Sequence, residues 1–453
     1  MILWRTITRS GIAILATALT ASACGSDGPR ADTEPTGFWQ VQDYGSVVSI
    51  HGDSLDTYEI TEVSCLRADS GTREGAPGRY ALPDKQVATV RATGAPDRAR
   101  MHIDGAPDDR TLIRVPGLPP ICTDGSVPSA FDVFWQTFQE NYPFFGPKGI
   151  DWNQVRDRYR ERAIAAERKG DNAELFATLR DMVTPLHDAH VMLYDGNEFA
   201  GSLRPGTADP RALDQPAKSH IRRRDLKDRP FDEYANGRIS FALLPDRSDY
   251  GYLRISGFSG YVTDGDFAAN SAELNRALDS IFTPDRKLRG LILDLRVNGG
   301  GWDSLGLQLA ARLTDRPYFA YAKKTRGTEP QPQTVRPAAT GYAGPIAILT
   351  SGSTISAGET FTQAMMERPA PTIRIGQPTQ GVYSDVLSRK LPGAGREQWL
   401  FGLPNEVFLT SDGRSFDGPG IAPQLTEPVF TDEEFAQDRD AAFDRAVGWL
   451  AQQ

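Results

Sequence analysis

Clustered metal ligands, an excess of positive charge and internal repeats are all missing from this chain. Its 453 residues include three cysteines and five histidines. Only His187 and His190 lie close together, and no carboxylate-rich partner motif accompanies them, so we predict no metal site. The formal net charge of −9 argues against nucleic-acid binding. The length and the mixed composition are typical of a globular protein of roughly two or three domains.

The N-terminal apolar run, Gly11-Ile-Ala-Ile-Leu-Ala-Thr-Ala-Leu-Thr20, is too short to span a bilayer. It follows two arginines and precedes Ala21-Ser-Ala-Cys24, which together predict a signal peptide over residues 1–23. Cys24 after Ala23 resembles a bacterial lipoprotein box, although Ala-Ser-Ala also suits an ordinary signal peptidase. The first pattern predicts a periplasmic or cell-surface lipoprotein of a bacterium. We expect such a protein to contact the membrane only through a lipid on Cys24. We also expect residues 24–36 to form a flexible tether.

Two cysteines, Cys65 and Cys122, remain beyond the predicted signal peptide and Cys24. In the oxidising compartment that an exported protein reaches, a pair of cysteines most simply forms a disulfide. Two unrelated buried thiols are the alternative.

The rest of the chain divides into four parts. Residues 37–122 hold short β-prone runs between Gly, Pro and Asp, which predicts a small antiparallel sheet or barrel. Residues 128–187 carry three amphipathic stripes, which predicts a helical subdomain. Residues 188–249 hold a histidine segment and a polar loop. Residues 250–453 alternate strand and helix, which predicts an α/β layer that closes with a helix starting at a capping box on Thr431.

One turn in the α/β part is typical of a catalytic serine. The segment Thr350-Ser-Gly-Ser-Thr-Ile-Ser356-Ala-Gly-Glu359 lies between a strand-like and a helix-like run. A serine at such a turn can point its hydroxyl into a cleft, and N–H groups at the helix start can stabilise an oxyanion. A turn that only caps the helix is the alternative.

Three glycines end the apolar strand of the segment Asp294-Leu-Arg-Val-Asn-Gly-Gly-Gly301. Glycine allows close backbone approach and lets amide N–H groups converge on an anion. A phosphate loop is not expected, because no Lys-Ser/Thr pair or GxGxxG continuation follows, and we predict no cofactor. A purely structural turn is the alternative.

His190, in Asp188-Ala-His190-Val at the predicted end of the third helix, is a candidate general base. Histidine is the usual base for a serine nucleophile. A lone histidine is, however, more often structural.

Six segments in order resemble one family over about residues 130–430. They are Phe134-Trp135…Gly149-Ile-Asp-Trp152, Leu186-His-Asp-Ala-His190-Val, Asp294-Leu-Arg-Val-Asn-Gly-Gly-Gly301, Ser353-Thr-Ile-Ser356-Ala-Gly-Glu359, Gly376-Gln-Pro-Thr-Gln-Gly381 and Asp417-Gly-Pro-Gly-Ile-Ala-Pro423. The family comprises the tail-specific (C-terminal processing) serine peptidases, the tricorn protease core and the interphotoreceptor retinoid-binding protein modules. The resemblance implies a crotonase/ClpP-like α/β core.

The resemblance also implies residue roles. It places the nucleophile at Ser356, with Ser353 and Ser351 as alternatives. It makes His190 the base. The oxyanion hole would consist of the Ala357 N–H and one amide from the three glycines Gly299, Gly300 and Gly301.

Two departures from the family pattern define the branch. Tail-specific members carry a general-base lysine where this chain has Val382, so a Ser/Lys dyad is not expected. The tricorn-like branch uses a histidine, but the serine that precedes it there is Ala189 here. Asp417 stands where that branch has a glutamate linked through the serine, and it is the predicted orienting residue. Asp188 is the second candidate.

The resemblance thus implies an exported serine-type peptidase that cleaves a peptide or protein substrate. Residues 191–249 are too few for the PDZ domain of tail-specific members, so gating by a substrate C-terminus is not expected. A catalytically inactive ligand- or protein-binding module on the same fold is the alternative, which Val382 and Ala189 favour. The sequence makes no prediction of oligomeric state.

Overall fold

The computed structural model describes residues 34–126, 128–391 and 399–453. The predicted signal peptide, Cys24 and most of the predicted tether lie outside these residues. Within them, no helix is both long enough and apolar enough to cross a membrane. The predicted fold class is confirmed, because an all-β domain and a helical subdomain precede an α/β core.

The N-terminal domain is a closed antiparallel barrel of eight strands. The strands are β1 (Gly37–Val41), β2 (Ser46–His51), β3 (Ser54–Ile60), β4 (Cys65–Arg73), β5 (Arg79–Ala81), β6 (Val87–Ala92), β7 (Arg98–Ile103) and β8 (Asp109–Val115). β1 pairs with both β2 and β8, which closes the ring. Alternate side chains along β1, Trp39 and Val41, are buried, as the two-residue period of a strand requires.

A disulfide joins Cys65 and Cys122, the pair that the sequence predicts, with an S–S distance of 2.07 Å. Cys65 begins β4, and Cys122 ends the 3-10 turn Pro120–Cys122 that follows the barrel. The bond therefore ties the barrel wall to the segment leading into the helices.

The helical subdomain consists of α1 (Ala130–Asn141), α2 (Trp152–Lys169) and α3 (Asn172–Val183). Each helix begins at a side chain that accepts a hydrogen bond from a first-turn N–H. These capping residues are Ser129, Asp151 and Asp171.

The α/β core is built on a seven-stranded sheet in the order β11-β12-β13-β14-β17-β18-β22. Its strands are β11 (Asp232–Tyr234), β12 (Ile239–Leu244), β13 (Arg247–Ile255), β14 (Gly290–Asp294), β17 (Ile346–Thr350), β18 (Thr372–Gly376) and β22 (Leu425–Thr426). Its helices are α4 (Pro210–Arg224), α5 (Phe267–Ile281), α6 (Asp303–Ala311), α7 (Ala357–Ala364), α8 (Asp432–Ala436) and α9 (Ala441–Leu450). From β13 to β22 the strands run parallel.

Helices cover both faces of this sheet. Leu291 and Leu293 pack on the face of α5, α6 and α7, whereas Ile292 packs on the face of α4 and α9. All five residues of β14 are buried. This burial explains why the strand is almost entirely apolar in sequence.

Two smaller sheets flank the core. One has the order β10-β9-β20-β19 and the other the order β16-β15-β21. Their strands are β9 (Met192–Tyr194), β10 (Phe199–Gly201), β15 (Tyr318–Lys324), β16 (Gln331–Val335), β19 (Val386–Leu391), β20 (Trp399–Pro404) and β21 (Val407–Leu409). Phe401 of β20 packs its ring against Phe134 and Phe138 of α1, which joins the first sheet to the helical subdomain.

The prediction of a polar loop within residues 188–249 is wrong, because the segment contains α4 and several strands. Asp209 caps α4, and Pro210 stands at its first position, where proline is favoured. Only Ala217, His220 and Ile221 of this helix are buried. Its sequence is therefore mostly polar and resembles that of a loop. β11 and β12 extend the core sheet, which therefore starts before residue 250.

The prediction of one continuous closing helix is also wrong. The Thr431 hydroxyl caps α8 as predicted, accepting from the Glu434 N–H at 3.2 Å. The helix ends at Ala436, and Asp438 has a φ of 52°. Asp440 then caps a separate helix, α9.

Candidate active site

The serine-rich turn follows β17, which lies in the sheet between β14 and β18. Two of its hydroxyls hold the turn in place. Ser351 Oγ donates to the Arg296 carbonyl at 2.6 Å, and Ser353 Oγ donates to the Ala208 carbonyl at 2.6 Å. Because these hydroxyls have structural partners, the geometry favours Ser356 over the two alternative nucleophiles.

Ser356 has a strained backbone. Its φ is 57° and its ψ is −122°, directly before the first residue of α7. A non-glycine residue in such a conformation costs about 1–3 kcal/mol and persists only where its surroundings enforce it. Strain of this kind at a strand-to-helix turn is typical of a nucleophilic serine.

Gly300 lies against the Ser356 side chain. A Cβ on Gly300 would stand 2.6 Å from the Ser356 Cβ and 3.1 Å from its Oγ. The φ of Gly300 is 83°, a left-handed conformation that glycine adopts at no cost. The structure therefore brings together the two motifs that the sequence separates by more than 50 residues.

The predicted oxyanion amides differ in their availability. The Gly299 N–H donates to the Ser256 carbonyl at 3.1 Å, and the Gly300 N–H donates to Asn298 Oδ1 at 3.0 Å. In the part of the chain that the structure describes, neither Gly301 N–H nor Ala357 N–H has a protein acceptor. These two N–H groups are the ones left to stabilise an oxyanion.

Asn298 is a positioning residue whose role the sequence does not reveal. It is fully buried, and its Nδ2 donates to the Ile255 carbonyl at 2.9 Å. Its backbone N–H donates to the Ser353 carbonyl at 3.1 Å, and its carbonyl accepts from the Ile355 N–H at 2.9 Å. Asn298 thus fixes the glycine segment to the serine turn through side chain and backbone together.

Glu359 is the second such residue. Its buried carboxylate accepts hydrogen bonds from three N–H groups, those of Gly381 (2.6 Å), Val382 (2.8 Å) and Ser356 (3.2 Å). Burial raises the pKa of Glu359 to about 7, against the opposing effect of these hydrogen bonds. The capping-box spacing from Ser356 to Glu359 was a signal that could have predicted this contact.

Residues 381–384 connect the serine to the other predicted site residues. The Val382 carbonyl accepts from the Ser356 N–H at 3.0 Å. The Tyr383 N–H donates to Asp417 Oδ1 at 3.3 Å. The Ser384 backbone favours the charged form of the His190 ring and so raises its pKa, against the effect of burial. One short segment therefore bonds to Ser356 and Asp417 and acts on His190.

His190 lies in a turn and not at a helix end, because α3 stops at Val183 and His187 has a φ of 46°. The Asp188 carboxylate accepts from the His190 backbone N–H at 3.0 Å. Burial lowers the pKa of His190, while Asp188 and Asp385 favour its charged form. Its buried Nδ1 has no hydrogen-bond partner among the described residues. Burial thus favours the neutral imidazole, which is the form that can accept a proton.

Asp417 contacts the Tyr383 N–H and the Ser415 hydroxyl, the latter at 3.3 Å. Neither contact is to the His190 ring. Burial raises the pKa of Asp417 well above its usual value, and the charges of Asp188 and Glu359 add to this effect. Among the described residues Asp417 therefore has no hydrogen bond to the His190 ring, and its orienting role stays a prediction.

Comparison with known proteins identifies two parts of the chain. The model of peptidase family S41 matches residues 249–426, and that of the tricorn protease C1 domain matches residues 126–184. The α/β core, over residues 249–426, belongs to peptidase family S41. The two matched regions are the α/β core and the helical subdomain.

Several solved structures are similar to this chain, and the first of those described here shares its fold. A putative peptidase from Parabacteroides merdae ATCC 43184 is 24% identical, with a TM-score of 0.56, over 71% of this chain and 96% of that one. A lipoprotein from Streptococcus agalactiae is 15% identical, with a TM-score of 0.43, over 72% and 98%. The photosystem II D1 C-terminal processing protease is 16% identical, with a TM-score of 0.41, over 70% and 99%. No curated protein matches this chain.

Val382 is the main chemical departure within this S41 core. Its side chain is buried and apolar, so it cannot replace the lysine of the tail-specific members. Its backbone nevertheless contacts both Ser356 and Glu359. In this S41 chain the position therefore has a structural function and no base.

Alanine substitutions at two neighbouring residues of the glycine segment, Gly300 and Gly299, should differ in their effect on stability. Replacing Gly300 by alanine (Gly300→Ala) places a Cβ against Ser356 at a positive φ, so we expect the free energy of unfolding to fall by about 1–3 kcal/mol. Gly299→Ala is the matched control, because its Cβ meets only Pro210 Cγ, at 3.7 Å. The control should change stability by less than about 0.5 kcal/mol. Equal effects in denaturant titrations would contradict the close approach.

Proposed function

We propose that this protein is a serine-type peptidase that hydrolyses peptide bonds. The observation that carries the proposal is the strained Ser356, held against Gly300 at the N-terminus of α7. Family S41 membership supports a peptidase. The serine-type mechanism is the chemistry that this turn favours.

The first step is attack of Ser356 Oγ on the substrate carbonyl carbon, with transfer of the hydroxyl proton to His190. The negative charge moves to the carbonyl oxygen, which the N–H groups of Ala357 and Gly301 stabilise. The C–N bond then breaks as His190 returns the proton to the leaving amine. Water hydrolyses the ester by the same route, with His190 first accepting the proton of the water and then returning it to Ser356.

Export is part of the proposal. The N-terminal sequence predicts a signal peptide and a lipid on Cys24, and the Cys65–Cys122 disulfide is typical of proteins outside the reducing cytosol. The expected mature protein starts at a lipid-modified Cys24. Mass spectrometry of its N-terminal peptide tests this, and an unmodified Met1 would contradict it.

An inactive binding module is the second candidate. Val382 and Ala189 each stand where relatives have a catalytic partner, and Asp417 does not contact the His190 ring. Such a module would keep the fold and bind its ligand without forming a covalent bond. Covalent labelling therefore separates the two functions.

Labelling by a serine-directed phosphonate tests the nucleophile. We expect wild-type protein to be labelled and Ser356→Ala to lose labelling by about 10³-fold or more, because the attacking oxygen is gone. Ser353→Ala tests the alternative nucleophile in the same turn and should keep labelling, at a rate lowered only by the loss of its hydrogen bond to Ala208. Labelling lost in Ser353→Ala but kept in Ser356→Ala would contradict the assignment, and unlabelled wild type would favour the binding module.

The pH dependence of labelling tests the base. Only the neutral imidazole accepts a proton, so the rate should rise with pH through the pKa of His190. Because burial lowers that pKa, we expect a midpoint below about 6.5, the usual value for histidine. Asp385→Asn removes a charge that favours the imidazolium and should move the midpoint lower still. A midpoint above 6.5, or an unchanged profile in His190→Ala, would be inconsistent with this role.

A further inference from the structure

A loop of the β-barrel, residues 104–108 between β7 and β8, reaches the end of the glycine segment. Gly105 has a φ of 96°, and a Cβ there would stand 2.4 Å from Trp302 Cδ1. The Ser304 N–H points to the Gly105 carbonyl at 3.4 Å. Trp302 directly follows Gly301, so this loop packs against the end of the glycine segment.

The same loop supplies a carboxylate to a buried lysine of the core. Lys323 is 2% exposed, and its Nζ lies 2.9 Å from Asp108, 2.9 Å from Asp385 and 3.1 Å from Glu406. These charges raise the pKa of Lys323 well above its usual value, against the effect of burial. The lysine is therefore a fixed cation, which joins the barrel to the core and is no candidate for a base.

The core partners of Lys323 lie next to a residue that acts on His190. Asp385 follows Ser384, and both the Asp385 charge and the Ser384 backbone favour the charged form of the His190 ring and so raise its pKa. The Ser384 hydroxyl donates to the Asp385 carbonyl at 2.8 Å and accepts from the Glu406 N–H at 2.9 Å. Fixing Asp385 and Glu406 on one ammonium group thus fixes the segment that carries Ser384.

We propose that the barrel is a positioning domain of the active site, which acts through the Gly105–Trp302 and Asp108–Lys323 contacts. The first contact supports the glycine segment with its oxyanion amide. The second holds the Ser384–Asp385 segment at which His190 is placed. The inference rests on the proposed serine-type mechanism, and it assigns to Gly105 and Asp108 a positioning function in it.

The physical reason is the steep dependence of the chemical step on geometry. A displacement of about 1 Å in a positioning group can lower the rate of the chemical step about 10²-fold. Asp108→Asn leaves Lys323 with its two core carboxylates, so the ammonium can shift toward them together with Asp385. The barrel is not part of the serine turn itself, so reversible capture of a small phosphonate should change little.

The test resolves phosphonate labelling into reversible binding and the rate of covalent bond formation. Asp108→Asn should form the bond about 10- to 100-fold more slowly with unchanged reversible binding, and Asp108→Glu should recover part of that rate. Asp109→Asn is the matched control, because Asp109 pairs with His102 of the neighbouring barrel strand at 3.0 Å. It should react as wild type does.

Gly105→Ala is the second variant and should slow bond formation in the same way through Trp302. Bond formation by both variants at the control rate would overturn the inference. Thermal melting shows whether the two variants fold. Variants that do not fold would overturn the inference as well, because the barrel would then contribute stability only. Unlabelled wild type is a different outcome, since it would contradict the serine-type mechanism itself.

Discussion

The strained backbone of Ser356 is the constraint on which the site depends. Its conformation is held by contacts on three sides: the Gly300 backbone, the Val382 carbonyl and the Glu359 carboxylate. The contact with Gly300 is possible only because that residue has no side chain. A relaxed turn would lose the approach of the serine to the glycine segment. The strain is therefore the result of packing around a position that has to present a hydroxyl.

The same constraint explains why the site draws on so much of the chain. The serine turn and the glycine segment end neighbouring parallel strands, β17 and β14, whose carboxyl ends meet at one edge of the sheet. His190 comes from the segment after the helical subdomain. Val382 bonds to the serine, and Ser384, two residues further on, acts on the histidine ring. The barrel adds the contacts of Asp108 with Lys323 and of Gly105 with Trp302. The surroundings of the site are thus drawn from several parts of the chain.

Much of this fold could be predicted from the sequence because its signals are local. The apolar β14, the three amphipathic helices and the turn at Ser356 are each defined by neighbouring residues. The Cys65–Cys122 disulfide could also be predicted, but contacts between distant residues outside recognisable motifs could not. Lys323 and Asp108 are 215 residues apart, and neither stands in a recognisable motif. α4 was missed because it buries few residues, and the break between α8 and α9 depends on the Asp440 cap. Asn298 and Glu359 stood in the recognised motifs, yet their functions depend on tertiary contacts.

The central claim is that Ser356 and the N–H groups of Ala357 and Gly301 form one catalytic unit. A crystal structure of the phosphonate-treated protein tests this most directly. The account predicts phosphorus bonded to Ser356 Oγ, with one phosphoryl oxygen about 2.7–3.1 Å from both N–H groups. Phosphorus on another residue, or an adduct at Ser356 whose oxygens meet neither N–H, would contradict it.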